Sequence, residues 1–141
     1  MTDKYESGKM NIPGVYGFNA ALKYINKIGM NSIREKELML TERFIKGIEQ
    51  IDKVRLIGPK GIEGRTAVVS VDFQGLDCGE ISHILDKRYG ILTRSGLHCS
   101  PSAHKALGTF PRGTVRFSFS HFNTAEEIDY ILRCLKEITK G

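Results

Sequence analysis

Cys99 is the residue of this sequence best placed to act as a nucleophile. Arg94, His98, His104 and Lys105 lie within a few positions of it. Nearby positive charge favours the thiolate form of a cysteine, and the thiolate is the reactive species. Free cysteine is also common as a small core residue, so these residues alone leave a reactive and a buried structural Cys99 equally open.

The elements around Cys99 must position it. The run 91–94 suits a strand, and 114–120 alternates like a half-buried strand. The segment 95–112 between them is predicted to be irregular, apart from a helical turn over 103–107. Irregular segments of this length are uncommon inside a compact domain and are usually functional.

The remaining elements follow from periodicity and capping signals. In chain order they are a helix over 15–28 that stops at Gly29, a helix capped by Asn31 or Ser32 that runs through Ile51, strands 54–57 and 66–73, a helix between Asp77 and Gly90, and a helix from Thr124 to the end. Asp77 with Glu80, and Thr124 with Glu127, have the spacing of capping boxes. The order α-α-β-β-α-β-loop-β-α predicts an α+β fold, with a largely antiparallel sheet covered mainly on one face by helices.

Composition narrows the class of protein. The chain has 141 residues, 40% of them hydrophobic, and a formal net charge of +5 that is spread along the sequence. We expect one domain and no nucleic-acid face, since no basic block or RNA-binding motif accompanies the charge. The absence of a long apolar run and of a signal-like start predicts a cytoplasmic protein without membrane spans.

The other cysteines and histidines carry weaker signals. Three widely spaced cysteines without a CxxC pair predict neither a disulfide framework nor a zinc site. Cys78 lies beside a helix start, where we interpret it as a packing residue of the capping region. Cys134 is interpreted as a structural or a surface residue. His83 and His121 have no ligand-like spacing to other residues, so we expect surface histidines and no metal.

Three motifs in order identify a family resemblance. They are Arg-x-Gly-x-His-Cys at 94–99, Thr-Val-Arg-Phe-Ser at 114–118 and Phe-Asn-Thr-x-Glu-Glu-Ile-Asp at 122–129. Together they resemble the cysteine desulfurase and class V aminotransferase family, which are pyridoxal-phosphate (PLP) enzymes of fold type I. The likeness extends to Glu-Ser-Gly at 6–8, and it covers nearly all of this chain but only the C-terminal portion of the family.

The resemblance implies a domain organisation and site residues. Residues 1–14 would be a loop from the junction with a large domain, and 15–141 the small C-terminal domain with its connecting helix. Cys99 matches the cysteine that takes sulfur from L-cysteine as a persulfide and leaves alanine. Arg116 matches the arginine that pairs with the substrate carboxylate, and Arg94 would orient the loop or help to hold substrate.

The resemblance also implies how the cofactor would be held. Gly8 and Lys9 match the segment that touches the cofactor phosphate of a neighbouring subunit, although the family usually has threonine where Lys9 stands. The cofactor lysine follows a histidine well upstream of this segment in the family, and His104-Lys105 is a poor imitation of that pair. We therefore expect the chain alone to bind no PLP and to be inactive or nearly so.

Several readings of function stay open. The first is a cysteine desulfurase domain that acts on L-cysteine, works as a homodimer and passes sulfur to an acceptor protein. The second is a selenocysteine lyase or a class V aminotransferase, since the Arg-x-Gly-x-His-Cys form also occurs in the branch that holds selenocysteine lyases. The third is a non-catalytic fragment that serves as a dimerisation or interaction domain.

Overall fold

Five helices and four strands make up the part of the chain that the structure, a computed structural model, describes, namely residues 8–140. In chain order they are α1 (Ile12–Ile28), α2 (Met30–Ile48), β1 (Val54–Ile57), β2 (Val68–Phe73), α3 (Cys78–Tyr89), β3 (Arg94–Gly96), α4 (Pro101–Ala106), β4 (Thr114–Ser118) and α5 (Ala125–Lys140). The chain divides into two compact units, the first ending at Ile33 and the second beginning at Arg34. No helix within 8–140 is both long and apolar enough to cross a membrane.

The first unit contains α1 and the first turn of α2. The side chain of Asn11 caps α1 by accepting a hydrogen bond of 3.0 Å from the amide of Gly14. This cap lets the helix begin at Ile12, three residues before the predicted start, because Pro13 is tolerated in the first turn. None of the residues of α1 is buried.

The predicted cap of the second helix is wrong. Asn31 and Ser32 lie inside α2, which begins at Met30. The carbonyl oxygen of Gly29 accepts a hydrogen bond from the amide of Ile33 at 3.1 Å, so Gly29 itself opens the helix. One glycine thus ends α1 and starts α2, and no side-chain cap is required.

The second unit is built on a four-stranded sheet in the order β1-β2-β4-β3, with every neighbouring pair antiparallel. Inward side chains of β2 and β4, such as Val71 and Phe117, pack in one buried cluster with residues of α2, α3 and α5. The ring of Phe44 on α2 lies 4.8 Å from that of Phe117. This arrangement confirms the predicted α+β fold and its antiparallel sheet.

Local signals placed the ends of the later helices correctly. Asp77 accepts a hydrogen bond of 2.9 Å from the amide of Glu80, and α3 ends before Gly90. At the start of α5, the Glu127 carboxylate accepts from the amide of Thr124 at 3.0 Å, and the Thr124 hydroxyl accepts from the amide of Glu127 at 3.3 Å. The second pair is therefore the reciprocal capping box that its spacing predicts.

The strand predicted at 91–94 is shifted. The β3 strand covers Arg94–Gly96, and its pairing with β4 begins only at Arg94. The hydroxyls of Thr93 and Ser82 share a hydrogen bond of 2.6 Å, which ties the residues before β3 to α3. The residues before Arg94 are thus held near α3, and pairing with β4 starts at Arg94.

Candidate functional site

A tight turn between β3 and α4 presents Cys99. The amide of Ser100 donates a hydrogen bond of 2.8 Å to the carbonyl of Leu97 and closes a four-residue turn. The two central residues, His98 and Cys99, have φ of 49° and 58°. Both therefore adopt the left-handed conformation of a type I′ turn. Cys99 is exposed, which rules out the buried structural alternative.

The other two cysteines are buried. The thiol of Cys78 donates a hydrogen bond of 2.7 Å to the carbonyl oxygen of Arg112. Burial raises the pKa of Cys78 and also that of Cys134. Both are therefore poor nucleophiles at neutral pH, since a raised pKa lowers the thiolate fraction.

The start of the turn is fixed by a close approach of two backbones. Gly113 lies against Gly96, so that a Cβ atom added at Gly113 would lie 2.7 Å from the Cα of Gly96. Gly113 also has a φ of 79°, which disfavours residues with a side chain. The contact holds the end of β3 against the start of β4, one residue before the Cys99 turn begins at Leu97.

Two arginines face each other beside this turn. Arg94 on β3 and Arg116 on β4 are directly opposite in the antiparallel register, so their side chains lie on the same face of the sheet. Like charges in this arrangement repel each other. Within residues 8–140, the buried Nε of Arg116 has no hydrogen-bond partner. An anion such as a carboxylate would satisfy both the charge and the donor.

A buried carboxylate on the same face of the sheet was missed by the sequence analysis. Asp72 on β2 is only 4% exposed, and it forms ion pairs with Arg55 at 2.9 Å and with Arg112 at 3.6 Å. Together with the bond from the Cys78 thiol, the Asp72 ion pair holds Arg112 at two points. The segment that leads into Gly113 is therefore anchored to β2 and α3. A signal was available, since Asp72 is the one charged residue of β2.

The His104-Lys105 pair has a structural explanation. The Nδ1 of His104, which is buried, shares a hydrogen bond of 2.7 Å with the hydroxyl of Thr109. Lys105 is exposed, with its Nζ 5.2 Å from the ring centre of Phe110. Every lysine in the described part of the chain is likewise exposed. These residues therefore do not fit the covalent anchor of PLP, which needs a lysine inside a pocket.

The predicted site residues divide between the two units. Cys99, Arg94 and Arg116 all lie in the second unit, with Arg94 on β3, Arg116 opposite it on β4 and Cys99 in the turn that follows β3. Gly8 and Lys9 are exposed residues of the first unit, just before α1, and their role toward a cofactor phosphate stays a prediction. No group of three or more histidine, cysteine or acidic residues suited to a metal ion occurs over 8–140.

Known proteins match the chain over almost all of its length. The family described as Aminotransferase class-V matches residues 1–131. A probable cysteine desulfurase of Methanothermobacter thermautotrophicus is 36% identical over 137 residues, which are 96% of this chain and 34% of that protein. A probable cysteine desulfurase of Pyrococcus abyssi is 34% identical over 99% of this chain and 34% of its own length.

A solved structure agrees with these sequences. The apo structure of the cysteine desulfurase from Thermococcus onnurineus NA1 superimposes with a TM-score of 0.89 at 35% identity, covering 99% of this chain and 34% of that one. The chain thus spans about a third of the length of the relatives that it matches. These findings confirm the resemblance that the motifs indicate.

Proposed function

Since the chain belongs to the aminotransferase class-V family, in which it is a cysteine desulfurase-like domain, we propose that it supplies the sulfur-accepting thiol of a cysteine desulfurase. Cys99 is that thiol. Its thiolate attacks the sulfur of L-cysteine, and a new sulfur–sulfur bond forms as the carbon–sulfur bond breaks. The electron pair of the broken bond stays with the carbon, which takes up a proton and leaves as alanine, while Cys99 carries the persulfide. The observation that supports this best is the exposed Cys99 in a turn beside Arg94 and Arg116, the second of which has a buried Nε without a hydrogen-bond partner among residues 8–140.

The arginine pair is suited to hold the substrate. The guanidinium of Arg116 can bind a carboxylate through two parallel hydrogen bonds, which fixes the orientation of an amino acid as well as its position. Arg94 adds a second positive charge from the opposite strand. A bound carboxylate therefore relieves the repulsion between the two side chains and brings the substrate next to the Cys99 turn.

PLP belongs to the whole enzyme in this proposal. When bound, it supplies an electron sink. The described residues do not fit its covalent anchor, because all of their lysines are exposed. The covalent anchor is therefore assigned to the remaining two thirds of the enzyme, whereas Gly8 and Lys9 are proposed to contact the cofactor phosphate of a neighbouring subunit. An exposed persulfide on Cys99 could in turn be reached by a sulfur-acceptor protein.

A chimera tests the proposal. The 141 residues replace the matching third of the Methanothermobacter relative, and alanine release from L-cysteine is measured with PLP present. Arg116→Lys should raise the KM for cysteine roughly tenfold, because lysine keeps the charge but loses the second parallel hydrogen bond. Arg43→Lys is the matched control, since Arg43 forms an exposed ion pair with Asp129. An Arg116→Lys chimera with unchanged KM would remove Arg116 from the site.

A further inference from the structure

His98, the first central residue of the Cys99 turn, is half-buried against β4. Over 8–140 its Nε2 is buried and has no hydrogen-bond partner. The backbone of Thr114 forms a hydrogen bond with the ring that favours the charged imidazole, so the ring must donate and the Thr114 carbonyl must accept. The ring therefore carries one proton toward Thr114 and leaves a bare, buried nitrogen on its other side.

We propose that His98 is a positioning residue that keeps the Cys99 turn closed while its imidazole is uncharged, and that protonation of His98 opens the turn. The importance of this device rests on the proposed role of Cys99 as the sulfur acceptor. The neutral ring is half-buried, and its hydrogen bond with the backbone of Thr114 links the turn to β4. A second proton would place an N–H at Nε2, for which the described residues offer no acceptor, and a buried donor without a partner is unfavourable.

The charged and titratable groups that face His98 all oppose its protonation. They are Arg116 from β4, Arg94 from β3 and His104 from α4, whose ring centre lies 6.1 Å from that of His98. Burial is the largest cause that lowers the pKa of His98 below its ordinary value of 6.5, and these three groups lower it further. The hydrogen bond to Thr114 opposes the shift only in part.

The direction of the pH effect follows from this shift. In an open turn His98 would regain its ordinary pKa and bind a proton more readily than in the closed turn. The closed turn is thus fully favoured above pH 6.5, and it loses that advantage as the pH falls through the lowered pKa of the closed state. Acidification therefore opens the turn, and neutral pH closes it.

The hydrogen bond from the Ser100 amide to Leu97 closes the turn, so its protection from hydrogen exchange measures closure. We would measure that protection by NMR in the 141-residue chain between pH about 8 and about 5, a range that spans histidine titration. In the wild type, protection should fall roughly tenfold as His98 becomes charged, about the effect of losing one hydrogen bond. His83→Asn, at an exposed position on α3, is the matched control and should keep this step.

Two substitutions separate the side chain from the backbone. His98→Gly accepts the left-handed φ freely but has no ring, so protection should be low at every pH. His98→Asn also tolerates this conformation and keeps a neutral polar group, so protection should be intermediate and independent of pH. Wild-type protection in His98→Gly, or a wild-type chain in which His98 titrates without a change at Ser100, would overturn the proposal. Neither measurement uses L-cysteine, so failure here is distinct from failure of the desulfurase proposal.

Discussion

Gly113→Ala tests whether the close approach to Gly96 supports the site. Alanine at position 113 must adopt a φ of 79°, which costs about 1–2 kcal/mol for a residue with a Cβ. The new methyl group would also overlap the backbone of Gly96, which cannot rotate away as a side chain could. Overpacking of this kind adds about 1–3 kcal/mol. We expect Gly113→Ala to lower the free energy of unfolding by about 3–4 kcal/mol.

Gly108→Ala separates the two contributions. Gly108 has nearly the same conformation, with a φ of 70°, but an added Cβ would meet no atom within 4 Å. This control therefore carries only the conformational cost, and the two variants should differ by about 2 kcal/mol.

Urea unfolding measures this difference. With an m-value of about 1–3 kcal/mol/M, the midpoint of Gly113→Ala should lie about 1 M below that of Gly108→Ala at an unchanged m-value. Equal midpoints for the two variants would show that the backbone contact between Gly113 and Gly96 contributes nothing, and the explanation of how the Cys99 turn is positioned would fail.

Three further predictions concern the surroundings of the site. Asp72→Asn should lower the free energy of unfolding by about 2 kcal/mol in urea, because a buried charge-assisted contact is lost, whereas Asp129→Asn in an exposed pair should change it little. The hydrogen bond from the Asn123 side chain, followed by that from the backbone of Thr124, lowers the pKa of Glu127. The Glu127 carboxylate therefore stabilises the folded chain above pH 4.5, and this stabilisation is lost as the pH falls through the lowered pKa. Glu127→Gln should accordingly flatten the acid side of a plot of Tm against pH, and an unchanged slope would contradict the capping assignment. Limiting iodoacetamide at neutral pH should label Cys99 before Cys78, as peptide mass spectrometry would show, and the reverse order would mean that burial does not control thiol reactivity here.

What the sequence predicted well depends on short-range spacing. The capping box of Thr124 with Glu127 involves residues three positions apart, so its geometry is set almost entirely by the local helix. The predicted cap of α2 was wrong although Asn31 and Ser32 are residue types that favour a helix start. The carbonyl of Gly29 already accepts the first hydrogen bond of the helix. Local preference decides a helix end only where no neighbouring backbone group provides the same hydrogen bond.

The parts of the site that could not be predicted depend on long-range pairing. Asp72 and Arg112 are 40 positions apart, and only the strand order β1-β2-β4-β3 brings them together. The facing of Arg94 and Arg116 likewise depends on the register of β3, which begins three residues later than the sequence indicated. The motifs identified Cys99 and Arg116 as candidates. The charged groups around these two residues could be identified only from the folded structure.

The location of the transferred sulfur tests the central claim most directly. The chimera with the Methanothermobacter relative is incubated with PLP and L-cysteine and alkylated without reductant. Its peptides are then analysed by mass spectrometry. The peptide that contains Cys99 should gain the mass of one sulfur atom, and those with Cys78 and Cys134 should not. Cys99→Ser should lose both this adduct and sulfur release, since a serine hydroxyl is a far weaker nucleophile and cannot carry a persulfide. Full desulfurase turnover by the Cys99→Ser chimera, or a persulfide on another cysteine, would contradict the assignment of Cys99 as the sulfur acceptor.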